Sequence, residues 1–583
     1  MSQSYDLVIR GGMVVDGTGQ RAPFQADIGI AGGTIRTVGA IGAHGGEEID
    51  ATGKLVTPGF VDIHTHYDAQ VAWESRLTPS SDHGTTTALM GNCGIGFAPC
   101  AAENRDTLVR LMEGVEDIPG VVMAECLSWS WESYPDYLNV IAQREFDMDV
   151  ASLLPHAPLR IHVMGQRAAD LEPATADDRQ RMHDLAREAA EAGALGFGTS
   201  RTIFHRSTDG SAIPTLTAGE DEIMAIAAGM ASVGPRLMQF ASDAALEPAA
   251  ATLLEEFAFM RRIGAASGCP VTYNVFPVDQ APDNWRILLD LNAAANRDGV
   301  VMRPQTMIKS NGMILGLEVR LNPFFRCPSY MALADRPLDE RVAALRDAAL
   351  KVRILAEAPV TGGVAIGDFI RNDLDKMFPL LDPPDYEPRP ETSLAAEARR
   401  QGRDPAEFIY DYLLGEDGRA LIYWPFNTYA DHSLDVYAEV LKDEHVMVGI
   451  ADGGAHIGII CDVSAMTFML SYWARDRVGA DRMAIEKVVH MLTEQPAQLI
   501  GLNDRGRIAV GLRADLNVID FERLALERPM AVYDLPVAGI NRLVQKTRGY
   551  TATIVAGQVT YRDGVPTGAL PGRLVRGPQG QAG

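Results

Sequence analysis

The chain has 583 residues, of which 47% are apolar and 22% are charged, and its formal net charge is −25 at pH 7. This composition predicts a soluble globular enzyme with more than one domain, or one large barrel with additions. The acidic balance repels nucleic-acid phosphates and anionic membranes, so we expect neither as a partner. The sequence has no run of about 18 apolar residues, and we therefore predict no transmembrane helix.

The N-terminus and the cysteines indicate the compartment. Residues 1–6 (MSQSYD) have neither a basic start nor an apolar core, so they do not resemble a secretory signal. Six cysteines stand without paired spacing at positions 93, 100, 126, 269, 327 and 461. In a chain of this length such cysteines are typical of reduced thiols, and we expect a cytoplasmic protein.

Short β-rich segments lie at both ends of the chain. They are YDLVIR at 5–10, GMVV at 12–15, ADIGIAGGTIRTVG at 26–39, ADLNVID at 514–520 and TATIVAGQVTYRDG at 551–564. Neither group has enough strands to fold well alone. We therefore predict that residues 1–57 and 506–566 form one small β-sandwich. Residues 567–583, rich in Gly, Pro and Arg, are predicted as a C-terminal arm.

The next predicted strand carries two histidines two positions apart. Pro58-Gly59 interrupts the preceding element, and the residues from Phe60 to Ile63 favour a strand. Residues two apart in a strand point to the same face, so His64 and His66 would present two imidazoles side by side. Two neutral imidazoles form a partial site for a divalent metal, and the alternative is a pair of surface histidines.

Seven further apolar runs alternate with helical stretches. They are TTTALMGN at 85–92, LRIHVMG at 159–165, ALGFGTS at 194–200, RLMQF at 236–240, PVTYNVF at 270–276, GVVMRP at 299–304 and VMVGIADGG at 446–454. With the histidine strand, the eight β runs predict an α/β fold, a (β/α)8 TIM barrel over residues 58–505. Two stretches, at about 100–158 and 305–440, do not fit a minimal barrel and are predicted as insertions over its mouth.

In such barrels the functional residues lie at the carboxyl ends of the strands. Beyond the histidine pair, the residues predicted there include Cys93, His162, Arg201, Gln239, Asn274, Arg303, Gln305, Asp452 and His456. A free cysteine is usually a small core residue, but beside a metal its thiol ionises and becomes a ligand. Asp452 follows the last strand, which lies beside the first in a closed barrel. Its carboxylate is suited to bind a metal and to take a proton from water there, and the alternative is a turn cap.

Several motifs resemble a known family. PGFVDIHTH at 58–66, the Asp-Gly at 452–453 and the β segments at both termini resemble the amidohydrolase superfamily. TTTALMGNCGIGFAP at 85–99, VEDIPG at 115–120, ALGFGTSR at 194–201 and TATIVAGQVTYRDGVPTGALPGRLVRG at 551–577 are similar to its N-acyl-D-amino-acid deacylase (D-aminoacylase) branch. The resemblance covers about residues 5–577. It implies a (β/α)8 barrel, a small β-sandwich and zinc-dependent hydrolysis of an amide. By position it implies a histidine pair and a cysteine as metal ligands and an aspartate that activates water: His64, His66, Cys93 and Asp452.

Two features depart from the family pattern. The family has histidines at the ends of strands five and six, where this chain has Gln239 and Asn274. Amides are poor zinc ligands, so we expect one zinc ion rather than two. The family also has a lysine after the strand-six histidine that binds the substrate carboxylate, and here Val275 and Phe276 follow instead.

The sequence thus predicts a metal-dependent hydrolase that cleaves the amide bond of a small N-acyl amino acid or related amide, with Asp452 as the general base. The candidates for substrate binding are His162, Arg201, Gln239, Asn274, Arg303 and His456. Two alternatives stay open: a hydrolase of a cyclic imide, lactone or ester on the same scaffold, and a non-catalytic relative that binds a small molecule or a partner. A small-molecule substrate is the expected partner, and homo-oligomerisation is left open.

Overall fold

Eight parallel strands form the central sheet of the protein. The structure is a computed structural model that describes residues 4–246, 250–360 and 369–580. The strands are hydrogen-bonded in chain order, and they are Phe60–Asp62, Thr85–Met90, Asp149–Pro155, Gly196–Arg201, Leu237–Ser242, Val271–Asn274, Met302–Thr306 and Met447–Val448. The first and eighth strands meet beyond their ends, where the His66 backbone N–H donates to the Gly453 carbonyl at 2.8 Å. The predicted (β/α)8 barrel is confirmed.

Helices between the strands and after the eighth strand pack around the sheet. They are Arg105–Glu116, Gly120–Cys126, Tyr134–Ile141, His156–Met164, Gln166–Ala169, Ala176–Ala192, Glu220–Ala231, Ala250–Ser267, Asn284–Arg297, Asp435–Val440, Ala465–Phe468, Ile485–Leu492 and Glu494–Leu499, with a π-helix at Met469–Asp476. Helix Ala176–Ala192 has clear start and stop residues. Thr175 and Asp178 form a capping box at its start, and Gly193 ends it in the left-handed conformation. None of the described helices is long and apolar enough to span a membrane.

The third barrel strand lies about ten residues before the run predicted for it. Residues 149–155 form the strand, whereas His156–Met164 is a helix that contains most of the LRIHVMG run. Pro158 is compatible with this helix, because it lies in the first turn, where a missing N–H costs no hydrogen bond. The insertion predicted at about 100–158 is therefore wrong at its C-terminal end, since that end is a barrel strand.

The segment between the seventh and eighth strands forms a small unit with its own apolar core. An antiparallel sheet orders its strands as Gly312–Leu315, Ile422–Pro425 and Phe378–Pro379. Its described helices are Pro328–Met331, Leu338–Leu345, Ala348–Ala356, Leu394–Arg400 and Pro405–Leu413. Buried Leu315, Trp424 and Leu413 belong to one cluster that holds this unit together. The insertion at 305–440 and the other domain boundaries stay predictions.

Strands from both termini form one mixed sheet beside the barrel, as the predicted terminal β domain requires. The order across the sheet is Val565–Pro566, Gln558–Arg562, Tyr550–Val555, Leu516–Ile519, Leu55–Pro58, Tyr5–Val14, Phe24–Ala31 and Thr34–Gly39, with Gly45–Asp50 also paired to Tyr5–Val14. Two two-stranded antiparallel sheets lie outside it: Ala525–Leu526 with Thr547–Arg548, and Met530–Val532 with Arg542–Val544. Strand Leu55–Pro58 leads through Gly59 directly into the first barrel strand. The sheet therefore fixes where the histidine strand begins.

The predicted C-terminal arm lies against the barrel over its described part. Gly572 and Phe146 exchange two backbone hydrogen bonds of 2.8 and 2.9 Å, and the Val575 N–H donates to the Val150 carbonyl at 2.7 Å. Leu574 and Val575 are both buried. Residues 581–583 of the arm lie outside the described residues. The arm thus adds backbone pairing and apolar burial to the third barrel strand.

Replacing Leu574 with Ala is expected to lower the free energy of unfolding by about 2–3 kcal/mol, because it removes buried methyl groups and leaves a cavity. The measurement is the unfolding transition in urea. The matched control is Val565→Ala, since Val565 is 64% exposed and its change should stay within about 0.5 kcal/mol. A Leu574→Ala effect as small as the control's would show that the arm does not stabilise the barrel.

Candidate metal centre

The four residues predicted as metal ligands meet at the carboxyl end of the barrel. The nitrogen atoms of His64 and His66 and the Cys93 sulfur all lie within 4.8 Å of one another. The Asp452 Oδ1 atom is 3.5 Å from His64 Nε2 and 3.6 Å from His66 Nε2. The histidines and the cysteine are buried, and the Asp452 side chain is 15% exposed. Strands one, two and eight thus bring four candidate ligands to one point.

A sharp turn after the second strand aims Cys93 at the histidines. Gly91 has a φ of 85°, and a Cβ there would lie 2.4 Å from the Leu153 carbonyl oxygen, so only glycine fits. Cys93 itself has a φ of 55°, a costly conformation for a non-glycine residue. Its backbone N–H donates to Gln239 Oε1 at 2.8 Å, which holds this turn, and its sulfur lies 3.4 Å from His64 Nε2.

The loop after the eighth strand is strained where it carries its polar residues. Ile450, Asp452 and His456 have φ values of 57°, 50° and 50°. Left-handed non-glycine residues of this kind cost free energy and cluster at functional sites. The Asp452 N–H donates to the His64 carbonyl at 3.2 Å, and a Cβ at Gly453 would lie 2.2 Å from Ser80 Oγ. These contacts fix Asp452 beside the first strand.

Both imidazoles turn their Nε2 atom towards Asp452. The other nitrogen of His64, Nδ1, lies 2.9 Å from Gln305 Oε1 in a hydrogen bond. His66 Nδ1 lies 3.3 Å from Glu116 Oε1, and Glu116 Oε2 lies 3.7 Å from His456 Nε2. The Gln305 and Glu116 side chains are almost fully buried. Each candidate ligand histidine therefore has a polar side chain behind it.

The electrostatics of the centre follow from burial and from the two carboxylates. Burial lowers the pKa of His64 to about 4 and raises the pKa of the Cys93 thiol to about 11. Burial also opposes a charge on His66, but Glu116 and Asp452 outweigh it and raise the pKa of His66 well above its usual value. Burial would raise the pKa of Asp452, yet the neighbouring histidines lower it. A metal ion entering this centre would replace protons, as metal binding to histidine and cysteine generally requires.

The donor set fits a divalent ion. Two imidazole nitrogens, one sulfur and one carboxylate are the ligand types and the number that zinc prefers. Across the described ranges, His64, His66 and Cys93 form the one group of three His, Cys, Asp or Glu residues that is close enough to hold a metal. The residues present are therefore suited to one ion.

Gln239 and Asn274 use their amides to hold backbone atoms. Gln239 accepts the Cys93 N–H, as described above. Asn274 Oδ1 accepts the Ser242 N–H at 2.7 Å, and its Nδ2 donates to the Ser242 carbonyl at 2.8 Å. These contacts stabilise the ends of strands two and five. They give both amides a role other than binding a second metal.

His456 lines a cavity beside Asp452. The cavity is lined mostly by apolar side chains, among them Ile457, Ile460 and Leu543, with the Arg542 guanidinium also present.

Three other residues predicted from the sequence, His162, Arg201 and Arg303, do not reach the centre. His162 lies on helix His156–Met164, where it is half-buried. Its charged neighbours are Arg181, Glu132 and Glu103, none of which belongs to the centre.

Arg201 and Arg303 point away from the centre for two different reasons. Arg201 forms an ion pair with Glu256 at 2.8 Å and stacks over Phe259, so its side chain reaches helix Ala250–Ser267 outside the barrel. Arg303 is the second residue of the seventh strand, because that strand runs on to Thr306. It therefore lies near the amino end of the strand, opposite the centre, and donates to Asn296 Oδ1.

Sequence reasoning missed two residues at or near the centre, Glu116 and His205. Gln305 was predicted at the end of the seventh strand, where the structure has it, but without a role. Glu116 lies in the VEDIPG motif, which drew attention only through its resemblance to the family. His205 follows the fourth strand, and its Nδ1 is 2.8 Å from Ser200 Oγ. Burial, with the charges of His456 and His66, lowers the pKa of His205 to about 3.

Comparisons with known proteins identify the family of this chain. A model of the amidohydrolase family matches residues 47–561. The D-aminoacylase of Alcaligenes xylosoxydans xylosoxydans is 30% identical over 356 residues, which cover 59% of this chain and 66% of that protein. The N-acyl-D-glutamate deacylase of the same organism is 25% identical over 581 residues, covering 99% and 97% of the two chains.

A solved structure extends the comparison to the fold. The N-acyl-D-glutamate deacylase from Bordetella bronchiseptica, in complex with zinc and a phosphonate inhibitor, has a TM-score of 0.64 and 23% identity. The match covers 98% of this chain and 100% of that one. The family match over residues 47–561 and the relatives together show that this chain belongs to the amidohydrolase family, in its D-aminoacylase-like branch.

Proposed function

We propose that this protein hydrolyses the amide bond of a small N-acyl amino acid, or a related small amide, with one divalent metal ion, and that the ion is zinc. The observation that carries the proposal is the convergence of two imidazoles, a thiol and a carboxylate at the carboxyl end of the barrel. The relatives named as deacylases of N-acyl amino acids support the substrate class.

The metal would be held by His64, His66, Cys93 and Asp452. When bound, a zinc ion supplies Lewis-acid chemistry, because it polarises a carbonyl and lowers the pKa of water from roughly 15.7 to about 7. The surrounding residues orient these ligands and exclude bulk water from a centre whose histidines and cysteine are buried. The amides of Gln239 and Asn274 already bind backbone atoms, which supports one ion rather than two.

Asp452 is the proposed general base. Its lowered pKa keeps the carboxylate ionised near neutral pH, so Oδ1 can accept a proton from the attacking water. The water oxygen then bonds to the carbonyl carbon. Asp452 delivers the proton to the leaving nitrogen as the carbon–nitrogen bond breaks, and the products are a carboxylic acid and an amine.

The cavity beside Asp452 is the proposed site for the substrate. Its apolar side chains suit an acyl chain or an apolar side chain, and His456 is positioned to contact the polar part of the substrate. Arg542 is the cation in this lining, but its guanidinium already binds Asp534 Oδ1 at 2.8 Å and Thr78 Oγ1 at 3.0 Å.

A second candidate function is hydrolysis of a cyclic imide, lactone or ester at the same centre. It is favoured because neither of the arginines predicted to bind the substrate reaches the centre: Arg201 binds Glu256, and Arg303 lies at the far end of its strand. The family's lysine position is also occupied by the apolar residues Val275 and Phe276. A substrate without a free carboxylate would not need these cations.

A substrate panel tests the two candidates on the zinc-loaded full-length protein. The panel contains N-acetyl derivatives of D- and L-amino acids with apolar and acidic side chains, together with a cyclic imide, a lactone and an ester. We expect release of free amine from at least one N-acetyl amino acid. Turnover limited to the imide, lactone or ester would support the second candidate instead. Zinc binding without turnover of any compound would support a non-catalytic binding protein.

A further inference from the structure

The two ligand histidines are held from behind by side chains that come from different parts of the chain. His64 is backed by Gln305 from the seventh strand, and His66 is backed by Glu116 from the last turn of helix Arg105–Glu116. We propose that Glu116 and Gln305 are positioning residues that accept the Nδ1 protons of these histidines, so that both Nε2 atoms face the metal. The proposal rests on the metal centre of the proposed function.

The contact between Gln305 and His64 fixes one form of the imidazole. A neutral imidazole has one N–H donor and one acceptor nitrogen. With the Gln305 amide in this orientation, its Oε1 atom can only accept, so the 2.9 Å hydrogen bond places the proton on His64 Nδ1. The Nε2 lone pair is then directed at Cys93 and Asp452, where a ligand must present it.

The backbone leaves room for this contact only because residue 449 is glycine. A Cβ at Gly449 would lie 2.4 Å from Gln305 Oε1, which is far closer than real Cβ contacts. Gly449 follows the eighth strand, and Gln305 lies on the seventh, which pairs with it. The backbone after the eighth strand therefore packs closely against the amide that holds His64.

The contact between Glu116 and His66 joins Glu116 Oε1 and His66 Nδ1. Both side chains are 1% exposed, and their facing atoms lie 3.3 Å apart. Among the described residues, neither His66 Nδ1 nor Glu116 Oε1 has a hydrogen-bond partner. A buried polar atom without a partner is costly, so a small rotation that completes this hydrogen bond is favourable. It would place the proton on His66 Nδ1 and free Nε2 for the metal.

The two positioning residues differ in charge. Gln305 is neutral, whereas Glu116 is a carboxylate that also faces His456 at 3.7 Å. A carboxylate behind a ligand histidine makes the ligand nitrogen more basic. We therefore expect His66 to be the stronger ligand. Glu116 also links the metal centre to a residue that lines the substrate cavity.

The affinity test compares Glu116→Gln and Gln305→Leu with the wild type. The zinc dissociation constant of the full-length protein is measured by competition with a chromophoric chelator, so the readout does not depend on turnover. We expect each variant to bind zinc about 10–100-fold more weakly. Glu116→Asp should lie between the wild type and Glu116→Gln, since it keeps the charge but shortens the side chain.

The matched control is Glu222→Gln. Glu222 is also a buried carboxylate against a histidine, with its Oε1 2.9 Å from His156 Nε2, but it lies on helix Glu220–Ala231. We expect it to change the zinc dissociation constant by less than about twofold, since it touches neither ligand. An equally weak affinity in Glu116→Gln, Gln305→Leu and the control Glu222→Gln would show a general loss of stability and overturn the positioning role.

A second measurement on the wild type does not depend on whether the variants fold. Nitrogen-15 spectra of histidine-labelled, zinc-loaded protein report which ring nitrogen carries the proton. We expect a proton on Nδ1 and the metal on Nε2 for both His64 and His66. The opposite assignment, or zinc affinities of both variants equal to the wild type, would overturn the proposal. A wild type that binds no metal would instead overturn the metal centre of the proposed function.

Discussion

Replacing Asp452 with Asn is expected to lower kcat by about 10²–10⁴-fold, because a positioned general base contributes a factor of this size. The amide keeps the shape of the carboxylate but cannot take a proton from water or deliver it to the leaving nitrogen. The measurement is kcat and KM on the best substrate of the panel, with the variant fully loaded with zinc. KM should change much less than kcat, since Asn keeps the shape of Asp452 and the rest of the cavity lining is unaltered.

The control for this variant is Glu444→Gln, an exposed acid close to the eighth strand whose side chain is 89% exposed. It removes one negative charge from the same part of the chain and should leave kcat unchanged. Near wild-type turnover in zinc-loaded Asp452→Asn would contradict the general-base assignment. Another residue, with His205 as the first to test, would then have to move the proton.

The second large effect is expected for His64→Ala. This change removes one of two imidazole ligands and leaves Cys93, His66 and Asp452 around an incomplete site. We expect the bound zinc to be lost. Turnover should then fall by about 10³-fold or more, because water at a centre without zinc keeps its ordinary pKa of about 15.7. Both are measured on protein dialysed without chelator.

The matched control is His44→Ala, because His44 is 91% exposed and directly precedes strand Gly45–Asp50 of the terminal sheet, which does not pair with the barrel strands. It should keep the zinc and the turnover of the wild type. If His64→Ala also retained them, the metal would not be held where the structure brings the ligands together.

The barrel and the centre of the site could be predicted from short local patterns. Seven of the eight strands lie where apolar runs alternate with helical stretches. The histidine pair follows from the two-residue period of a strand, which puts His64 and His66 on the same side. Asp452 follows from closure, because the eighth strand of a barrel must lie beside the first.

The third strand was missed because short apolar runs do not separate strands from helices. LRIHVMG contains β-branched residues, as does the true strand from Asp149 to Pro155, and the runs are almost adjacent. The helix at His156–Met164 is set by its packing against the barrel, which local sequence does not reveal. His162 was consequently assigned to a strand end that does not exist.

The arginines show why strand bounds and faces matter. A strand alternates its faces, so Arg201 shares the outer face with Thr199, whose hydroxyl binds His156 on a neighbouring helix. Arg303 was misplaced because the seventh strand ends two residues beyond the run predicted for it. Glu116 could not be predicted at all, since only the tertiary fold brings the end of helix Arg105–Glu116 to His66.

The most direct test of the account is elemental analysis of the wild-type protein, purified without chelator and normalised to protein concentration. The account predicts one zinc ion per chain, held by the donor set of two histidines, one cysteine and one aspartate. Two ions per chain would contradict the role given to Gln239 and Asn274, and a chain without metal would contradict the centre itself.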